Sequence, residues 1–155
     1  MDFRVKALDD KEFAHLFALA DAELEKIGAQ RMTVDEYPGF PCRVSLQDAE
    51  MGEEVILLPY QHHKTGSPYQ ASGPIFVRKG ARTAVLHINE VPKMLYHRLL
   101  SLRGYDQNGI LKKATVTEGQ FLAEQIKEFF KKDEVNYIHV HNAKPGCYNC
   151  VVERV

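Results

Sequence analysis

From Phe3 to Leu8, apolar and charged residues alternate in the period-two pattern of a half-buried strand. Asp9 and Asp10 stand where a helix is capped, and Phe13, Leu16, Phe17, Ala20, Leu24 and Ile27 follow at helical spacing. Lys11, Asp21, Glu25 and Lys26 take the opposite face, and Gly28 sits where a left-handed residue closes a helix. Gln30 to Val34 reads as a short strand. Glu36 to Gly52 reads as irregular, punctuated by Pro38, Gly39, Pro41 and Gly52. Val55 to Tyr60 is a compact apolar run, expected to be an inner strand.

Gln61 to Pro74 is a polar stretch, expected to be one long loop, and loops of that length are often functional. Ile75–Arg78 and Thr83–Ile88 predict a hairpin across Lys79-Gly80-Ala81-Arg82. Pro92 suits the first turn of a short helix running through Leu100. Asn108-Gly109 is a strong hairpin signal joining Leu102–Asp106 to Ile110–Val116. Thr117 and Gln120 read as a capping box before a helix with Leu122, Ile126, Phe129 and Phe130 on its apolar face. Two strand-like runs, Val135–Asn142 and Tyr148–Arg154, close the chain across Ala143-Lys144-Pro145-Gly146. Hairpins beside about three helices predict an α+β fold with a largely antiparallel sheet. No linker or internal repeat interrupts residues 1–155, which read as a single domain.

Composition narrows the function classes. The formal net charge is −1, so no global field attracts nucleic acid or an anionic membrane. No apolar run approaches the ~18 residues of a membrane span, and the first residues lack a signal peptide's apolar stretch. A cytoplasmic location is the expectation. Walker, HExxH, GxSxG and EF-hand patterns are all missing. Exposed hairpin edges make a homodimer a reasonable expectation.

Chemistry concentrates at the C-terminus. Cys147-Tyr148-Asn149-Cys150 has the spacing of a redox pair or half a zinc site. In extended chain, though, the two α-carbons would stand ~10 Å apart, too far for a disulfide. If Asn142 pairs with Cys147, then His141 faces Tyr148, His139 faces Cys150 and Tyr137 faces Val152. That register would set His139 and His141 beside Cys150, and these three with Cys147 at the turn are the candidates for a metal; two packed histidines in a mixed-polarity sheet face are the plainer alternative.

Other residues extend the picture. Pro41-Cys42-Arg43, Asp48-Ala49, Gly52-Glu53, Ser67-Pro68-Tyr69, Gly73-Pro74-Ile75-Phe76-Val77, Arg103-Gly104-Tyr105-Asp106 and His139-Val140-His141-Asn142-Ala143 join Gly146-Cys147-Tyr148-Asn149-Cys150 and Arg154. Through these stretches the chain resembles the bacterial domain-of-unknown-function family 1203. The resemblance implies a shared fold and a shared site around Cys42, the 61–74 loop and the C-terminal hairpin. It names no substrate. The chain departs from the family pattern at Ser45, where a second cysteine is common, and at His141, where arginine is common. A four-thiolate zinc site is thereby missing its fourth thiol. His139, His141, His62 or His63 would have to substitute, although His62-His63, as neighbours in an extended loop, should diverge.

Arg43, Arg78 and Arg103 each flank a turn and could converge on an anion, or each could pair with a nearby carboxylate such as Asp48, Glu53 or Asp106. The first functional expectation is a binding module for a small anion or a peptide. Its candidate residues are Cys42, Arg43, Tyr69, Arg78, Arg103, His139, His141, Asn142 and Cys147, with no cofactor. The alternative is a thiol- or zinc-dependent enzyme using Cys42 or Cys147 with His139 or His141.

Overall fold

The computed structural model describes all 155 residues. It is an α+β fold on two antiparallel sheets. The larger sheet orders its five strands as β1 (Phe3–Lys6), β8 (Tyr148–Arg154), β7 (Tyr137–Asn142), β5 (Leu99–Tyr105) and β6 (Leu111–Glu118). The smaller orders β2 (Gln30–Thr33), β3 (Glu54–His63) and β4 (Ala71–Arg78).

Each sheet has its own core. Helix α2 (Leu122–Phe130) lays Leu122, Ile126, Phe129 and Phe130 on Leu100, Leu102, Ile138, Val140 and Val152 of the larger sheet. In the smaller, Ile56, Leu58, Ile75 and Val77 pack on Phe13, Leu16 and Leu24 of the N-terminal turns and α1 (Asp21–Lys26). The sheets meet where the end of β3 crosses the uncovered face of β7.

Several sequence expectations need correction. The helix expected over 13–27 is split into 3-10 turns at Asp10–Glu12 and Ala14–Ala18 and the short α1. Leu19 and Ala20 between them are extended, and the Leu19 carbonyl is taken by the Arg31 guanidinium at 2.5 Å. The long loop is mostly strand. β3 runs on to His63 and β4 begins at Ala71, leaving 64–70 as the turn. Pro59 is tolerated in β3 because β2 reaches only as far as Leu57, so no neighbour asks for its missing N–H. β4 accordingly pairs with β3, and 83–88 forms no strand, only a bridge from Val85 to Lys6. The helix after Pro92 is a single 3-10 turn, Lys93–Leu95, and Leu99 and Leu100 already belong to β5. The Thr117/Gln120 capping box does not form, because β6 carries Thr117 and Glu118; Gln120 Nε2 donates to the Glu118 carboxylate instead. The Asn108-Gly109 hairpin is present, with Gly109 at φ 76°.

Gly119 joins β6 to α2 and is buried, and its N–H donates to the Arg98 carbonyl at 2.8 Å. A β-carbon there would stand 1.7 Å from the Leu95 carbonyl oxygen, inside the backbone of the Lys93–Leu95 turn. Gly119→Ala is therefore expected to destabilise the fold by about 3 kcal/mol, the upper range for overpacking. Urea denaturation measures it; a variant within about 1 kcal/mol of the parent would contradict the close approach.

Candidate functional site

Residues Tyr137, His139 and His141 line the face of β7 turned away from α2, while Ile138 and Val140 point into the core. On neighbouring β5, Ser101 is opposite His141, Arg103 opposite His139 and Tyr105 opposite Tyr137, so these side chains share that face. Tyr105 and Tyr137 stack at 5.4 Å between ring centres.

Two β-bulges complete the arrangement. In β3 the pairing slips between Tyr60 and His63, which oppose Gly73 and Ala71. The extra residue turns both His62 and His63 onto the β7 face, with ring centres 6.1 and 4.8 Å from that of His139. The expectation that the two neighbours diverge is corrected for this reason. In β8 the extra residue is Asn149. Asn142 N–H bonds the Cys147 carbonyl and His141 opposes Tyr148, as the sequence pattern predicts, but beyond the bulge Val140 opposes Cys150, His139 opposes Val151 and Tyr137 opposes Glu153. The predicted pairing of His139 with Cys150 and of Tyr137 with Val152 is thus corrected. Tyr148 stays on the histidine face, stacked on His62 at 5.2 Å and 6°. Cys150 faces the core, where burial pushes its thiol up to about 12.

The histidines divide into two kinds. Nδ1 of His63 donates to the Tyr69 carbonyl at 2.8 Å, and Nε2 meets the Tyr137 hydroxyl at 2.6 Å, so both nitrogens are occupied. His62, His139 and His141 each keep one buried nitrogen without any partner: Nδ1, Nδ1 and Nε2 respectively. One ring nitrogen from each of the three lies within 4.8 Å of the others. The second nitrogen of His141, Nδ1, donates to the Gly146 carbonyl at 2.9 Å, which fixes the tautomer that leaves Nε2 a bare lone pair.

Burial suppresses protonation of all three. Desolvation first, then the neighbouring histidines and the Arg103 guanidinium, hold His139 down to about 2. Desolvation outweighs the Gly146 hydrogen bond and holds His141 at about 3. Desolvation and Arg103 hold His62 at about 4. At neutral pH the cluster is three uncharged imidazoles. Arg103 has no carboxylate partner; its Nε meets the Ser101 hydroxyl at 3.4 Å and its guanidinium donates to the Tyr105 hydroxyl. Outside His62, His139 and Tyr148 lies a cleft of about 580 Å³ edged by Lys64 and Arg154.

The remaining sequence candidates lie elsewhere. Cys42 is fully buried, its sulfur accepting from the Ser45 and Arg78 amides at 3.4 Å, and it packs in the core of the smaller sheet. Arg78 forks onto Glu53 with both contacts at 2.8 Å. Arg43 is buried beneath the C-terminal hairpin, and Arg103 is on the histidine face, so the three arginines do not converge. Tyr69 is exposed and contributes its carbonyl to His63. Asn142 is buried, accepting from Asn149 at 2.9 Å and donating to the Cys147 sulfur at 3.7 Å. Cys147 is half-buried on the opposite side of the hairpin from the histidines, and no cysteine joins their cluster. The sequence pattern placed His62 in a loop, diverging from His63; the signal that marks it is the run Tyr60-Gln61-His62-His63 continuing an apolar strand.

Residues 39–154 match the family model described as Protein of unknown function (DUF1203). The chain belongs to this family. The family stretch holds every residue of the histidine face and of the C-terminal hairpin, while β1, α1 and β2 precede it. No curated protein and no solved structure matches the chain.

Proposed function

We propose that this protein is a metal-dependent domain that binds one divalent transition ion, zinc by ligand chemistry, through His62, His139 and His141. Two facts about the same three residues carry the reading: each has one buried ring nitrogen without a partner, and one ring nitrogen of each lies within 4.8 Å of those of the other two. A buried nitrogen left without a partner costs roughly 1–3 kcal/mol, and three such atoms together are best explained by an ion that uses all of them. An equilateral triangle with sides of 4.8 Å puts its centre about 2.8 Å from each corner, so closing onto zinc at ~2.1 Å takes rotations of well under 1 Å per nitrogen.

Three imidazoles leave one tetrahedral position unfilled, the arrangement of catalytic rather than structural zinc. A divalent ion beside Arg103, which has no acidic partner, would gather excess positive charge on this face, so the open position takes an anionic oxygen: hydroxide, or a small carboxylate or phosphate. The neutral state of the imidazoles favours loading, since no proton has to be displaced first.

Untagged protein titrated with zinc is expected to bind one equivalent per chain, measured by elemental analysis after gel filtration. His139→Ala and His141→Ala should each weaken binding at least a hundredfold. His15→Ala, at an exposed position outside the cluster, should bind like the parent. Sub-stoichiometric zinc in the parent, or unchanged binding in His139→Ala, would sink the proposal.

A further inference from the structure

On the other side of the same hairpin lies a second cavity, of about 860 Å³, whose lining includes Pro41, Arg43, Arg98, Lys144 and Cys147 and one carboxylate, Glu118, which Gln120 holds by a hydrogen bond. That volume is in the range of small-molecule sites. Its floor is Arg43, a residue 1% exposed. Nε of Arg43 donates to the Tyr148 carbonyl at 2.7 Å and Nη1 to the Pro41 carbonyl. The remaining side-chain partner of the guanidinium is the Cys147 thiol, and no carboxylate lies within 4 Å of it. Arg98, by contrast, is fully engaged, forking onto buried Asp48 at 2.6 and 3.1 Å. Lys144 is exposed at the mouth and also lacks an acidic partner.

Burying a guanidinium without a carboxylate partner is costly, and the cost is offset when an anion completes its hydrogen bonds. The planar fork of Arg43 is already fixed by two carbonyls, so its remaining edge, which meets only the Cys147 thiol, is preorganised for an oxyanion. We propose that this cavity binds a small anion, a carboxylate or phosphate, on Nη2 of Arg43, with the Cys147 sulfur at its side and Lys144 at the entrance. The proposal is independent of the metal reading, because none of its residues belongs to the three-histidine cluster.

Cys147 supplies the readout. Cys42 and Cys150 are buried, so alkylation of the native protein reports on Cys147 alone. Iodoacetate carries a carboxylate and iodoacetamide does not; in both, the sulfur displaces iodide, forming an S–C bond while the thiol proton goes to solvent. The ratio of iodoacetate to iodoacetamide rates at Cys147 is expected to exceed that of glutathione at least tenfold. Inorganic phosphate should slow iodoacetamide labelling relative to sodium chloride at equal ionic strength. Lys144→Glu, at an exposed position that leaves the fold intact, should lower the ratio severalfold, and Arg43→Met should return it to the glutathione value. A parent ratio equal to that of glutathione, or phosphate without effect beyond ionic strength, overturns the proposal. So does a folded Arg43→Met that keeps the raised ratio. If Arg43→Met does not fold, phosphate protection and Lys144→Glu decide.

Discussion

Metal-free protein is expected to lose on the order of 4 kcal/mol of folding stability between pH 7 and pH 5 through His139 and His141 alone. Both rings are buried, and burial is the main reason they resist protonation, holding them at about 2 and about 3 against an ordinary 6.5. In the unfolded chain both titrate near 6.5. Below that value the unfolded state binds protons that the native state refuses, so stability falls with pH; it is fully present above 6.5 and is lost progressively down to the native values. Each histidine contributes about 1.4 kcal/mol per pH unit, hence about 2 kcal/mol over the 1.5 units from 6.5 to 5. His62 acts in the same direction from a more exposed position. Urea denaturation of chelator-treated protein at pH 7, 6 and 5 measures the slope. His139→Phe removes one of the two protons and should reduce the loss by about half. A parent protein equally stable at pH 5 and 7 would mean that the cluster is solvated rather than sealed.

The elements that generate this property were only partly readable from the chain. Strict periodicity over long runs was informative. The α2 face, the Asn108-Gly109 hairpin and the pairing of the last two strands follow directly from Leu122, Ile126, Phe129 and Phe130, from a left-handed glycine, and from His141 opposite Tyr148. What the chain concealed were two single-residue insertions into otherwise regular ladders. The Asn149 bulge sends Tyr148 to the histidine face and Cys150 to the core, although a simple period of two places them together. The slip after Tyr60 brings His62 to His139 and His141, from a strand that alternation alone would have aimed elsewhere. A bulge has no fixed residue signature; tertiary packing decides it, here by the demand that two sheets meet over one histidine face. The Cys147/Cys150 spacing was the most conspicuous motif in the chain, yet its two thiols point into different environments, one toward the Arg43 cavity and one into the core.

Zinc at a thousandfold excess over its dissociation constant is expected to stabilise the native state by about 4 kcal/mol, because ligation that exists only in the folded protein adds RT ln(1 + [L]/Kd). For a domain of this size that is a rise in Tm of about 8–16 °C. The effect requires all three rings at once. They come from β3 and β7, which lie in different sheets, so no unfolded segment presents them together. His141 should be the most sensitive position, since the Gly146 carbonyl already holds its Nδ1–H and leaves Nε2 as its one free ligand atom. His141→Ala is therefore expected to abolish the zinc-dependent rise, His62→Ala to reduce it strongly, and His15→Ala to leave it intact. Differential scanning calorimetry at pH 7, with zinc and with chelator, makes the comparison. Equal zinc-dependent shifts in the parent and in His141→Ala would place the ion elsewhere, and the orphaned nitrogens would then be an uncompensated cost of packing histidines where two sheets cross.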